Sequence, residues 1–257
     1  MKDFSLKGYF FVKEFMALIP QKIRILKFIA EQGVVTVDDI NRALFDNNKS
    51  ATIRVTLHQL EIGHAKFGHI KHGVWYIDKP ELFDLLKTYF PNIPALEVKP
   101  LLLYQVPHNL EINRIRIALE KTSNIAIDQW LSEKFIRALP SPIGGRIANT
   151  KIPDAIFWRR RTDGTRQKFF LEYERTLKNK DRYEEIFRSY SQRHDVGNKN
   201  VIYICENEFI REELTQVEEK LAIAGKLSEV GLYFQFVTLE SFYKTYSKNP
   251  TNKEEKQ

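Results

Sequence analysis

Two segments constrain the fold of this chain more than any other feature: "KIPDAIFW" at 151–158 and "RQKFFLEYER" at 166–175, joined by "RRRTDGT". Both are rich in apolar and aromatic residues and alternate as strands do. In the second, Phe169, Leu171 and Tyr173 fall on one face, and Phe170, Glu172 and Glu174 on the other. The two carboxylates are then about 7 Å apart on a single face, at roughly 3.3 Å rise per residue. A three-residue loop, Thr162 to Gly164, with Gly164 left-handed, sets Asp154 directly opposite Glu172. Opposed residues of an antiparallel pair share a face, so Asp154, Glu172 and Glu174 converge. A two-residue loop at Asp163-Gly164 would instead pair Asp154 with Tyr173 and separate the acids.

Charge gathers around these acids. The chain carries a net charge of +7 and a sequence pI near 9.3, which favours polyanionic partners. Residues 146–182 alone hold eleven Lys or Arg against five Asp or Glu. The 257 residues suffice for one large domain or two small ones, with an ordinary globular hydrophobic content of 43%. The single cysteine, Cys205, excludes an internal disulfide and a multi-cysteine zinc site, suits a reducing compartment and reads as a buried residue. The first twenty residues are broken by Lys7, Lys13 and Glu14 and lack a cleavage site, so neither a signal peptide nor a membrane span is expected. No other apolar run reaches the roughly eighteen residues a span needs, and a cytoplasmic protein without a membrane partner follows. The polar "SKNPTNKEEKQ" reads as a frayed tail.

Residues 21–77 read as three helices and a hairpin. "QKIRILKFIAEQG" spaces Ile23, Leu26, Ile29 and Ala30 for a helix ending at Gly33. "TVDDINRALF" starts on Thr36 as N-cap, with Val37, Ile40 and Leu44 inward. "SATIRVTLHQLEIG" takes Ser50 as N-cap, buries Ile53, Leu57 and Leu60, leaves Thr52, Arg54, Thr56, His58 and Gln59 outside, and ends at Gly63. Two short strands follow with Gly73 near the turn, carrying Lys66, His69, Lys71 and His72. This order resembles a winged helix-turn-helix, whose third helix would enter a DNA major groove while the basic hairpin lies along phosphates. Trihelical units of this kind also dock proteins. His58, His64, His69 and His72 match no metal-ligand spacing and read as polar surface residues.

A helix and three prolines, Pro91, Pro94 and Pro100, follow. The expected domains are a DNA-binding unit at 1–90, a linker at 91–104, an α/β domain with a mixed sheet at 105–247 and a tail at 248–257. In the second domain "NLEINRIRIALEK" is a helix, "NIAIDQWLS" a strand, the two segments above a hairpin, "KDRYEEIFRSYSQR" a helix, "NVIYICE" a strand, 208–224 a helix and "LYFQFVTL" a strand before a last helix. Tyr183 and Tyr190 fall on the apolar stripe of their helix and read as core, as do Trp130 and Trp158.

Three converging carboxylates repel unless a proton or a cation is shared among them. Hard oxygen ligands suit Mg²⁺ or Mn²⁺, which would orient a phosphate. Arg159, Arg160, Arg161, Arg175, Lys178 and Lys180 could hold a nucleic-acid backbone beside it. Metal and phosphate binders together indicate phosphodiester chemistry. The competing reading makes Glu172 and Glu174 the solvent face of an edge strand, ion-paired with Arg159 or Arg161.

The order helix, strand, "PD" strand, "E-x-E" strand, helix resembles the PD-(D/E)XK nuclease fold. More closely, "VPHNLEINRIRIALE", "WLSEK", "KIPDAIFW" and "FFLEYERT" resemble the replication-relaxation family of plasmid and mobile-element proteins, which is similar to MobC-type relaxases. The resemblance covers about residues 21–77 and 105–206. It implies an N-terminal winged helix-turn-helix followed by a PD-(D/E)XK nuclease-like domain, with the metal on Asp154 and Glu172. It also points to His108 and Glu111 on the preceding helix, which would otherwise cap it, and to Glu133. Glu174 stands where such nucleases keep a lysine. Lys168 lies six residues away, roughly 20 Å along a strand, so Lys178 is the expected substitute. The implied function is metal-dependent nicking or processing of DNA in mobilisation or replication, alongside other relaxosome or mobile-element proteins. The alternative is a catalytically inactive DNA-binding regulator or relaxosome accessory protein that keeps the fold as a scaffold.

Overall fold

The computed structural model describes residues 20–45, 49–68, 70, 72–121, 126–139, 151–161, 163–193, 199–227 and 231–246. His69, Lys71, Thr162, the first nineteen residues and the tail lie outside them. The described residues form a mixed α/β structure with two sheets, and contacts divide the chain into Met1–Val106 and Pro107–Gln257. Among the described residues no helix is long and apolar enough to cross a membrane.

The first unit contains helix α1 (Gln21–Gln32), strand β1 (Val34–Val35), helices α2 (Val37–Leu44) and α3 (Ser50–Gln59), strands β2 (Gly63–Ala65) and β3 (Val74–Tyr76), and helix α4 (Pro80–Tyr89). Its sheet has the order β1-β3-β2. Burial of Ile23, Ile25, Leu26, Phe28 and Ile29 holds α1 in place. Gly33 closes it at φ +80°, a conformation that costs glycine nothing, with its N–H on the Ile29 carbonyl. The residues after Gly33 form β1, a strand the periodicity does not foretell. Thr36 caps α2 through a reciprocal box: its Oγ1 accepts from Asp39 N at 3.1 Å, and Asp39 Oδ2 accepts from Thr36 N at 2.8 Å.

Helix α3 differs from its expected form in four respects. Lys49, not Ser50, is the N-cap; Ser50 Oγ accepts from Asn41 Nδ2 at 3.1 Å, and Asn41 Oδ1 accepts from Lys49 N at 3.2 Å. The helix ends at Gln59 rather than Gly63, which starts β2, where an added Cβ would come within 2.7 Å of the Tyr76 ring. Thr56 is buried, its hydroxyl donating to the Thr52 carbonyl at 3.0 Å, so it belongs to no outward face. Val55 is 56% exposed beside Thr52, His58 and Gln59, while Leu60 is half-buried, as is Leu44 at the end of α2.

The second unit contains α5 (Val106–Lys121), β4 (Ala126–Ser132), α6 (Glu133–Ala138), β5 (Ala155–Arg160), β6 (Arg166–Glu174), α7 (Lys180–Ser191), β7 (Lys199–Cys205), α8 (Glu208–Ile223), β8 (Leu232–Thr238) and α9 (Leu239–Tyr246). Its sheet has the order β4-β5-β6-β7-β8, antiparallel through β6 and parallel from β6 to β8. Ala155, Phe157, Phe169, Leu171 and Tyr173 pack with Ile112, Ile115 and Leu119 of α5 and Phe242 of α9. On the other face Phe170, Tyr203, Phe234 and Phe236 meet Phe187 and Tyr190 of α7. Side asparagines start the helices on this face: Asn179 Oδ1 accepts from Arg182 N at 2.8 Å, and Asn207 Oδ1 from Ile210 N at 3.0 Å.

The β5–β6 turn takes the three-residue form. Arg161 N donates to the Thr165 carbonyl at 2.8 Å, Gly164 sits at φ +82°, and Ala155 pairs with Leu171. Strand β5 begins at Ala155, so Lys151 to Asp154 form an irregular lead-in rather than strand. Strand β6 lies between β5 and β7, with Glu172 and Glu174 only 5% and 6% exposed. The solvent-facing edge-strand reading therefore fails. Helix α6 was not foreseen, and Trp158, expected in the core, is half-buried beneath Arg166 and Lys168.

Candidate functional site

Asp154 ends the irregular lead-in at the point where β5 begins, beside the C-terminal end of β6. Its Oδ2 accepts from the Tyr173 backbone N–H at 2.8 Å, and Oδ1 lies 3.4 Å from His108 Nε2 in the first turn of α5. The Asp154 carbonyl accepts from Glu133 N at 2.8 Å, which ties the lead-in to the start of α6. His108 stacks on Tyr173, the ring centroids 5.3 Å apart.

Glu172 points to the α7 side. Its Oε2 is 3.0 Å from Lys151 Nζ, and its Oε1 accepts from the Tyr190 hydroxyl at 2.5 Å. Lys151 is itself held by its main chain: its N–H donates to Ser189 Oγ at 3.3 Å, and its carbonyl accepts from Arg193 Nη1 at 3.1 Å. Ser189 of α7 and Arg193, two residues past its end, thus fix the backbone of a stretch that has no secondary structure of its own.

The electrostatics follow from burial and these partners. Burial pushes the Glu172 carboxyl up, Lys151 pulls it down and Asp154 pushes it up again, leaving it at about 7. Burial also opposes ionisation of Asp154, but His108, Lys151 and the Tyr173 N–H outweigh it and hold its pKa below the usual value. Burial disfavours the His108 cation, yet Asp154, then Glu133 and Glu172, raise its pKa. For Lys151 the same competition between burial and the Glu172 and Asp154 charges ends in a raised pKa, so it remains an ammonium.

The remaining expected residues disperse. Glu174 is ion-paired with Lys178, so neither joins Asp154 and Glu172. Glu111 accepts from the Tyr243 hydroxyl of α9 at 2.6 Å and from Arg114 Nη1 at 2.9 Å, which commits it to helix packing. Arg159 and Arg160 lie toward the hairpin tip with Arg161, about 20 Å along β5 from Asp154 at 3.3 Å per residue, too far to grip a phosphate held there. Arg175 and Lys180 are exposed beyond the end of β6, and Lys180 reaches Glu213 at 3.4 Å. Among the described residues no three His, Cys, Asp or Glu side chains are grouped to hold a metal ion by themselves. Asp154 and Glu172 remain as two carboxylates at this end of the sheet, their oxygens held by the Tyr173 N–H, His108, Tyr190 and Lys151; hard oxygen donors of this kind are those that Mg²⁺ takes, together with water and phosphate oxygens. Tyr183 and Tyr190 are core residues as expected, and Cys205 is buried with its thiol pushed up to about 12.

Sequence reasoning missed Lys151 and Tyr190 as partners of Glu172. Spacing along β6 does not point to Lys151, which reaches that strand from the irregular stretch before β5. A signal was present in "KIPD", where the lysine precedes the acid by three residues.

In the first unit, a cavity of about 490 Å³ lies between α3 and the β2–β3 hairpin, lined by Arg54, His58, His64, Lys66, His72 and Trp75 among others. Arg54 Nη1 donates to His72 Nε2 at 2.8 Å, and His64 stacks on Trp75 with centroids 4.3 Å apart. Among the described residues, none that line this cavity is acidic. Thr52, His58, Gln59 and Lys66 are exposed, and Arg54 is half-buried. Compared with known protein families, curated proteins and solved structures, the chain matches none.

Proposed function

We propose that this protein binds DNA through its first unit and cleaves a phosphodiester bond at Asp154 and Glu172 with a divalent cation. The observation that carries the reading is the pair of a half-buried Asp154 and a buried Glu172, gathered with Lys151 at one end of a central strand. Carboxylates gathered in this way need a proton or positive charge to balance them, which His108 and Lys151 supply here and which a divalent ion would supply when bound. Apart from the short helix α6 between β4 and β5, the element order α5, β4, β5, β6, α7 is the one implied by the resemblance to PD-(D/E)XK nucleases and to the replication-relaxation family, which supports the same chemistry.

Asp154 and Glu172 would hold Mg²⁺ or Mn²⁺. When bound, the ion would make a coordinated water more acidic and offset negative charge on the phosphate. The chain's own residues set the geometry. The Tyr173 N–H and His108 fix the Asp154 carboxylate, and Tyr190 and Lys151 fix that of Glu172. The water oxygen bonds to phosphorus as the opposite phosphorus–oxygen bond breaks. Its electron pair goes to the departing sugar oxygen, which takes up a proton, and the water gives one up to solvent. In the first unit, Thr52, Val55, His58 and Gln59 of α3 form the exposed face that would read bases, as in a winged helix-turn-helix. Arg54, Lys66 and His72 would meet phosphates.

One observation favours a second reading. Glu174 and Lys178 neutralise each other, and Lys151 already balances Glu172, as expected of a scaffold that binds DNA without cutting it. Incubating supercoiled plasmid with the protein and Mn²⁺ separates the two. Nicking that is lost with chelator and with Asp154→Asn supports the enzyme, and DNA binding with no metal-dependent nicking supports the scaffold.

A further inference from the structure

The side chain of Lys151 stands in an unusual position. Its main chain is clamped by Ser189 and Arg193, its ammonium lies 3.0 Å from Glu172 Oε2, and it is 26% exposed while Glu172 is 6% exposed. An ammonium has three N–H donors, and the contact with Glu172 uses one. The negative charge of Asp154 adds to the pull on the same ammonium. Lys151 thus supplies the positive charge that a divalent ion on Asp154 and Glu172 would otherwise bring, on a long side chain carried by a held backbone.

We propose that Lys151 is a built-in counter-cation of the Asp154–Glu172 pair, which a divalent ion displaces from Glu172 so that its ammonium turns to a non-bridging oxygen of the phosphate. The proposal rests on the phosphodiester reading above. Two cations on one pair of carboxylates repel each other, and the mobile one leaves. The exposed side of Lys151 faces the solvent from which an anionic substrate arrives, and an ammonium suits a phosphate oxygen as a point charge. Metal and lysine therefore compete for Glu172 in the free protein and cooperate once phosphate is bound. The clamp by Ser189 and Arg193 keeps the swing short.

The test measures Mn²⁺ binding to the full chain by calorimetry and compares it with nicking. Lys151→Met is expected to bind Mn²⁺ at least tenfold more tightly than the wild type, yet to nick plasmid at least a hundredfold more slowly. Lys151→Gln, which keeps a donor for Glu172 without the charge, should behave the same way and serves if the methionine variant does not fold. Lys220→Met, which removes an exposed lysine of α8 outside the site, should leave both quantities within about threefold. Mn²⁺ affinity that is unchanged or weaker in the Lys151 variants overturns the counter-cation role. Tighter binding with undiminished nicking overturns the phosphate contact. A wild type that nicks nothing overturns this proposal together with the phosphodiester reading, whereas wild-type nicking retained in the Lys151 variants overturns this proposal alone.

Discussion

Replacing Glu172 by glutamine tests whether burial or Lys151 governs the carboxyl at the centre of the site. Burial raises its pKa from 4.5 to about 7 against the opposing pull of Lys151. Each pH unit of difference between folded and unfolded pKa is worth about 1.4 kcal/mol, so the shift amounts to about 3 kcal/mol. The sign follows from proton counts. Between pH 4.5 and 7 the folded state keeps a proton that the unfolded state has released, so stability falls as pH rises through this window and levels off above it. Glutamine does not ionise, and its amide can still meet Tyr190 and the solvent-facing Lys151. In chelator, urea unfolding of the second unit, followed by Trp130 and Trp158 in a Trp75→Phe background, should show Glu172→Gln gaining about 3 kcal/mol on the wild type between pH 4.5 and 8. A gap that stays constant with pH would refute the buried-carboxyl argument. A wild type that gains on the variant as pH rises would show that the Lys151 ion pair dominates instead.

Other outcomes follow from single contacts. Tyr190→Phe removes the 2.5 Å hydrogen bond that lowers the Glu172 pKa, so the pH midpoint should move upward and stability at pH 8 should fall by about 1–3 kcal/mol, measured by the same unfolding. Gly164→Ala places a Cβ in open space at φ +82° and should cost about 1–2 kcal/mol by chemical denaturation. Gly73→Ala should cost more, because its Cβ would come within 2.4 Å of the Ala65 carbonyl oxygen. Lys66→Ala should weaken duplex binding about equally across sequences and reduce the salt slope by about one, read by fluorescence anisotropy at several salt concentrations.

The residues that announced the fold were those whose neighbours are close in sequence. Alternation along 166–174 and the glycine of "TDG" were enough to set β6, the three-residue turn and the pairing of Ala155 with Leu171. Thr36 could be recognised as a cap because its partner, Asp39, is three residues away. Ser50 misled because its hydroxyl serves Asn41, nine residues back, and Thr56 misled because its hydroxyl turns onto its own helix. The site was half legible for the same reason. Strand pairing brings Asp154 and Glu172 to the same end of the sheet, but three long-range choices decide their chemistry. Lys151 reaches Glu172 only because Ser189 and Arg193 hold its backbone, Glu174 is taken by Lys178, and Glu111 is taken by Tyr243. None of these follows from periodicity.

The most direct test of the central claim is a plasmid-nicking titration with Mg²⁺ and Mn²⁺, using wild type, Asp154→Asn and Glu172→Gln at matched DNA occupancy. The account predicts metal-dependent relaxation by the wild type, abolished by chelator. Both variants should be slower by on the order of a hundredfold or more while binding duplex as the wild type does. Nicking at the wild-type rate by either variant, or none by the wild type with either metal, would contradict it.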